Sequence, residues 1–303
     1  MRAQGRVFAR LDRALALIAG ATMARRGARS GTTGIADSSR AHPAWLVLLA
    51  VAAACSKSGD GSSAGSRKDE PLRVAAASDL TLAFKDIGAA FEKQSGKRVE
   101  FSFGSTGLLA KQISEGGPFD VFAAANVSYV DDVVREGACL GETKALYAKG
   151  RIVMWAKDPA SVPKDLTDLE DPKYAKIALA NPEHAPYGRA AREALTKAGV
   201  WSTVQPRAVY GENVQQALTF ASSGNADVAI VALSLAVTSP GGYTPIDPSF
   251  HETLDQALVI CRGKTKGARV AEAQAFASFI RSEGGRTIMR RYGFSLPEDS
   301  RAR

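Results

Sequence analysis

The chain is 303 residues long, 45% hydrophobic and 23% charged, with a formal net charge of +8 and three cysteines. That length supplies core material for one large domain or two smaller ones. The positive charge is misplaced for a nucleic-acid binder: residues 1–55 carry eight Arg, no Lys and two Asp, a net of +6, and the rest of the chain only +2, whereas such a binder clusters its basic excess on a folded face.

Within that basic segment, "WLVLLAVAAAC" (Trp45 to Cys55) is an apolar run too short to span a bilayer comfortably. Arg25, Arg26, Arg29 and Arg40 precede it, and charge followed by a short apolar segment is the pattern of a secretory signal. Ala52, Ala53 and Ala54 lead into Cys55 and the polar tract "SKSGDGSSAGSRKDE". The segment resembles a bacterial lipoprotein signal, whose cysteine is lipidated and becomes the mature N-terminus. Ala52 stands where such signals usually have Leu, and the stretch ahead of the apolar run is long, which makes Met23 an alternative start. The other reading is a buried apolar helix beside a free cysteine. The expected division is a leader over 1–55, a Gly/Ser-rich flexible tether over 56–70 and an exported remainder.

From Pro71 strand and helix patterns alternate. "LRVAAA" is a short apolar strand; in the following "SDLTLAFKDIGAAFEKQSG", Leu80, Phe84, Ile87 and Phe91 share one helical face and Gly96 ends the run. "VEFSF" is a strand, followed after Gly104-Ser105-Thr106-Gly107 by a helix through Ser114, and "PFDVFAAAN" with "VSYVDDVVREG" repeats the order. This alternation predicts parallel strands joined by right-handed crossovers. Strands follow at "RIVMWAKDP", "KIALA", "RAVYG", "ADVAIVA" and "QALVICRG", with helices at "RAAREALTKAGVW" and after "GEN", a Pro/Gly loop over 240–248 and a helical close. No internal repeat is visible. The predicted fold class is α/β with two lobes: residues 71–150 and 256–296 form lobe 1, residues 151–255 form lobe 2, and 297–303 are a tail. The chain then crosses between the lobes twice, as a hinge.

Cys139 and Cys261 remain after Cys55; export permits them to pair, and two buried thiols are the alternative. No CxxC occurs, and His42, His184 and His251 are scattered without metal-ligand spacing. Open α/β sheets bind ligands at the carboxyl ends of their parallel strands. There this chain carries Ser78, the Ser105-Thr106 pair, Tyr187-Gly188 and Asn213-Val214. Helix starts with unpaired N–H groups suit an anion. Ser, Thr and Asn at helix starts also serve simply as caps, worth about 1 kcal/mol, and spacing alone leaves both readings open.

Together "RVAAASDL", "FSFGSTGLLAKQI", "PFDVFAAAN", "LANPEHAPYGRAAREALTKAGVW" and "RRYGF" resemble the periplasmic molybdate-binding proteins of ABC transporters, from about Leu72 to Phe294. The resemblance implies a two-lobed type II periplasmic binding protein fold closing on a tetrahedral oxyanion. It also implies hydroxyl and backbone N–H donors, no cationic side chain, no cofactor, and no side chain bonded to the molybdenum itself. Carried over residue by residue, the hydroxyl ligands fall on Ser78 and Thr106, with Ser105 in the same turn, and the backbone donors on Tyr187 and Val214. A tyrosine of some relatives falls at Ala232, so either the Tyr187 hydroxyl replaces it or the site has one donor fewer. Arg189 and Asp79 are expected to face solvent, His184 to hydrogen-bond as a loop residue, and Asn126 to hydrogen-bond at the cleft wall. The implied function is that of a monomeric, exported periplasmic lipoprotein. It captures molybdate or tungstate for an ABC permease, is not an enzyme, binds no nucleic acid and meets the membrane only through its lipid. Another oxyanion such as sulfate or phosphate is the alternative. An enzyme acting on a phosphorylated or sulfated substrate is a third reading, against which stands the lack of a Ser-His-Asp arrangement, a P-loop or a metal cluster.

Overall fold

The computed structural model describes residues 70–263 and 268–297. The expectations for the leader, for Cys55, for the tether up to residue 69 and for the tail beyond 297 lie outside the described residues. The first lobe opens with β1 (Leu72–Ala77), a 3-10 turn (Ser78–Leu80) and α1 (Thr81–Ser95). Leu80, Phe84, Ile87 and Phe91 are all buried, and α1 ends at Gly96, whose φ of +71° is the left-handed conformation that glycine adopts without strain. There follow β2 (Val99–Gly104), α2 (Thr106–Ser114), β3 (Val121–Ala124), α3 (Val127–Arg135) and β4 (Cys139–Gly150).

The second lobe contains β5 (Ile152–Ala156), β6 (Ile177–Ala180), α4 (Pro186–Lys197), α5 (Trp201–Val204), β7 (Ala208–Gly211), α6 (Val214–Ser222), β8 (Val228–Ala232), α7 (Leu233–Ala236) and β9 (Gly242–Pro245). The chain then returns as β10 (Leu254–Cys261), α8 (Ala268–Arg281) and α9 (Glu283–Arg291). The C-terminal helical stretch is broken at Ser282, whose hydroxyl caps the start of α9. Among the described residues no helix is long and apolar enough to cross a membrane.

Two five-stranded sheets result, in the orders β2-β1-β3-β10-β4 and β7-β6-β8-β5-β9. These are the same arrangement twice, with β6, β7 and β8 standing to the second sheet as β1, β2 and β3 stand to the first. In each, three parallel strands meet one strand that runs against its neighbours, β10 in one sheet and β5 in the other. The parallel strands expected from the strand–helix alternation are β1, β2 and β3, and each sheet is completed by antiparallel strands. The chain passes between the sheets at Gly150–Ile152 and again between β9 and β10, the two crossings of a hinged pair of lobes. The edge strands β4 and β9 escaped the sequence reading because their side chains alternate with exposed residues, and β9 is framed by Pro and Gly.

The core of the first lobe joins its two chain segments. Phe276 of α8 packs edge-on to Phe84 and Phe91 of α1, and Phe101 of β2 completes the cluster. Cys139 and Cys261 are direct register partners in the β4–β10 ladder and are disulfide-bonded, which closes a long loop across the two crossings. Far from the strand ends that face lobe 2, Asp120 receives Arg269 of α8 in a buried bidentate pair, Nε to Oδ1 at 3.1 Å and Nη2 to Oδ2 at 2.7 Å. Asp120 also accepts the Arg73 backbone N–H at the start of β1, at 2.9 Å.

Candidate functional site

The carboxyl ends of β1 and β2 face those of β6 and β7, and four turns meet around a small pocket, with about 10 Å³ of space for the centre of a water-sized sphere. It is lined by Ser78, Asp79, Ser105 and Thr106 from the first lobe and by Tyr187 and Val214 from the second, with Gly104, Ala125, Ala185, Pro186 and Asn213 between them. Pockets for drug-sized ligands run to roughly 300–1,000 Å³, far larger than this one, so the space suits only a small ligand such as an anion. All five residues expected from the sequence reach this pocket. No Lys or Arg lines it, and among the described residues no group of three His, Cys, Asp or Glu could hold a metal.

The caps separate the two readings of the helix starts. Asn126 accepts from Ser128 N at the head of α3, and Asn213 accepts from Gln216 N at the head of α6. Asn126 is therefore a cap and not a cleft-wall group. At the heads of α2 and α4 the capping positions, Ser105 and Ala185, make no side-chain cap bond. At α4 the first-turn N–H groups are not taken by the chain's own side chains, which suits an anion, whereas Gly107 N of α2 is taken by the His184 carbonyl, and at α6 the Asn213 cap takes Gln216 N but not Val214 N. Thr106 Oγ1 accepts from Ala125 N at 3.2 Å, which leaves its proton to donate. No hydrogen bond is made by Ser78 Oγ among the described residues, while Ser78 O accepts from Thr81 Oγ1.

Ser105 behaves differently. Its hydroxyl donates to His184 O at 2.7 Å and meets His184 Nδ1 at 2.8 Å. Since Ser105 has one proton and the carbonyl takes it, Nδ1–H is the donor of the second bond. Gly107 N donates to the same carbonyl at 2.9 Å. These bonds cross from lobe 1 to lobe 2, so the Ser105 hydroxyl ties the lobes together and is spent there. Arg189 is corrected likewise: it is half-buried, with its guanidinium 5.2 Å from the ring centre of Tyr129 on the opposite lobe.

The profile of a family described as bacterial extracellular solute-binding protein matches residues 72–295. The chain belongs to that family. It is similar to the molybdate-binding protein ModA of Rhodobacter capsulatus, 36% identical over 226 residues, 73% of this chain and 86% of that protein. It is also similar to ModA of Escherichia coli strain K12, 32% identical over 258 residues, 83% of this chain and 98% of the relative. Among solved structures, the Azotobacter vinelandii periplasmic molybdate-binding protein matches with a TM-score of 0.69 at 30% identity, covering 75% of this chain and 99% of that one.

In this solute-binding protein the largest departure from expectation is Asp79. It does not face solvent: it is 1% exposed. Its Oδ2 accepts from Tyr187 Oη at 2.9 Å and from Gln256 Nε2 at 2.6 Å, and Gln256 in turn accepts from Tyr147 Oη at 2.9 Å. Burial pushes the Asp79 carboxyl up to about 6, outweighing the hydrogen bonds from Gln256 and Tyr187 that pull it down. The same burial, followed by the charge of Asp79, holds the Tyr187 phenol well above its ordinary value. The Tyr187 hydroxyl is therefore committed to Asp79 and does not stand in for a tyrosine at Ala232, which is itself fully buried at the end of β8 and outside the pocket. Gln256 is the functional neighbour that the sequence reading missed. Its only signal was one amide in an otherwise apolar strand.

Proposed function

We propose that this chain captures molybdate, with tungstate as the near isostere, in the pocket between its lobes and delivers it to an ABC permease. The observation that carries this reading is the meeting of strand-end turns from both lobes around a small pocket lined with neutral donors and no cation. The proposed ligands are the hydroxyls of Ser78 and Thr106 and the backbone N–H groups of Tyr187 and Val214, with Ser105 reassigned to holding the lobes closed. Hydrogen bonds to an ionised acceptor are about twice as strong as neutral ones, so fixed dipoles suffice to solvate a dianion. Sulfate is distinguished chiefly by size.

The relatives named above, described as molybdate-binding, support the ligand and the transport role. The signal-like segment ending at Cys55 supports export and a lipid anchor on a monomeric protein. The Ser105–His184 pair is read as a closure contact and not as a nucleophile and base, since Nδ1 carries the proton. Calorimetric titration of the protein purified after export should give one-to-one heats with molybdate and tungstate and none with sulfate or phosphate, and no product from phosphate or sulfate esters. Saturable binding of sulfate or phosphate in place of molybdate would move the function to that anion.

Closure makes a separate prediction. A Cβ on Gly107 would lie 2.7 Å from the His184 carbonyl oxygen, which is backbone and cannot swing aside. Gly107→Ala should therefore hold the lobes apart and weaken molybdate binding roughly tenfold, about one interlobe hydrogen bond, with the thermal melt of the ligand-free protein little changed. Unaltered affinity would mean that these lobes do not close through this contact.

A further inference from the structure

Resting on the oxyanion reading, we propose that capture is proton-coupled: Asp79 enters the loaded state as a neutral acid, with the proton on Oδ1, so that one proton is taken up with each dianion. The geometry makes the case. Asp79 lines the pocket, is almost wholly buried, and its Oδ1 is buried with no hydrogen-bond partner. Both bonds it accepts go to Oδ2, from Tyr187 and Gln256. A proton on Oδ1 therefore leaves the whole Tyr147–Gln256–Asp79–Tyr187 chain in place. It also gives Oδ1, which has no hydrogen-bond partner, a proton to donate.

The groups around Asp79 do not offer another way to neutralise it. Tyr187 comes from α4 and Tyr147 from β4, and burial first, with the Asp79 charge second, holds both phenols neutral far above physiological pH. Gln256 comes from β10, and Ser234 of α7 donates to the Asp79 carbonyl at 2.7 Å; neither titrates. Asn213 and Val214 from α6 share the pocket and carry no charge. Among the described residues no Lys, Arg or His pairs with the Asp79 carboxylate. An ionised Asp79 would share the pocket with a bound dianion, and like charge raises the carboxyl further on binding. With the lobes closed and no ligand bound, the carboxyl stands at about 6. Above that pH the apo carboxylate is ionised, and linkage then requires affinity to fall about tenfold per pH unit until the raised value of the loaded form is passed.

The test is molybdate titration of the full exported protein between pH 6.5 and 8.5, in pairs of buffers with different ionisation enthalpies. Close to one proton should be taken up per molybdate at pH 8, with affinity falling by about tenfold per unit across the range. Asp79→Asn mimics the neutral acid, with an oxygen for Tyr187 and Gln256 and an N–H in place of the proton. It should take up no proton, bind with a flat pH profile, and be at least tenfold tighter than the parent at pH 8. One-to-one binding by the parent with no buffer dependence overturns the coupling and leaves the molybdate reading standing. Proton uptake that persists in Asp79→Asn places the proton elsewhere and also overturns it. No molybdate heat at any pH overturns the molybdate reading and the coupling with it.

Discussion

Ser78→Ala and Thr106→Ala should each weaken molybdate binding by about 10- to 150-fold, the 1.5–3 kcal/mol carried by a hydrogen bond to a charged group. The two variants are not equivalent. Among the described residues Ser78 Oγ has no hydrogen-bond partner, so its loss removes a ligand contact and nothing else, and the unfolding curve should not move. Thr106 Oγ1 also accepts from Ala125 N, and its removal strands a buried N–H, which adds about 1–3 kcal/mol of instability. Thr106→Ser keeps both the donor and the acceptor and should bind within a few-fold of the parent. Calorimetry reads the affinity and urea unfolding the stability. If both alanine variants stay folded and bind molybdate like the parent, the hydroxyls are not its ligands.

Much of this arrangement was legible in the sequence because it is local. Each strand of β1, β2, β6 and β7 runs directly into a turn and a helix, so the alternation places small and hydroxyl residues at the strand ends. The strand-end rule then places those ends at one cleft. The repetition of the sheet order was not legible, since it lies in the connectivity of β10 and β5, and these strands join partners more than a hundred residues away or across a crossover. Side-chain roles failed for the same reason. Asp79 was expected outside because an acid in a first helical turn is stabilised there locally. Gln256, 177 residues on, and Tyr187, 108 residues on, draw it inward instead. Ser105 looked equivalent to Thr106 until His184 arrived from the other lobe. In the proposed site the hydroxyl ligands come from the first lobe and the backbone N–H ligands from equivalent positions of the second.

The buried pair at the opposite end of the first lobe should separate stability from binding. Asp120→Ala leaves the Arg269 guanidinium, only 9% exposed as a residue, without its bidentate carboxylate, and takes the acceptor from Arg73 N. Breaking a buried pair by removing one partner costs about 3–5 kcal/mol, a third or more of the 5–15 kcal/mol typical of a domain. The remaining bonds of Arg269 to the carbonyls of Glu70 and Pro71 keep it oriented, and the Glu70 carboxylate, 3.8 Å away and largely exposed, offsets its charge only weakly. Denaturant midpoints should fall accordingly. Molybdate affinity, measured well below the melting temperature, should be unchanged, because β1 carries Arg73 at one end and the pocket at the other. Adding Arg269→Met to Asp120→Ala removes the stranded charge while retaining an apolar stem against the core, and should recover part of the loss, since a buried pair replaced by apolar groups is often close to neutral. A double variant no more stable than Asp120→Ala would show that the Asp120 bond to the start of β1, and not the ion pair, holds this corner of the lobe.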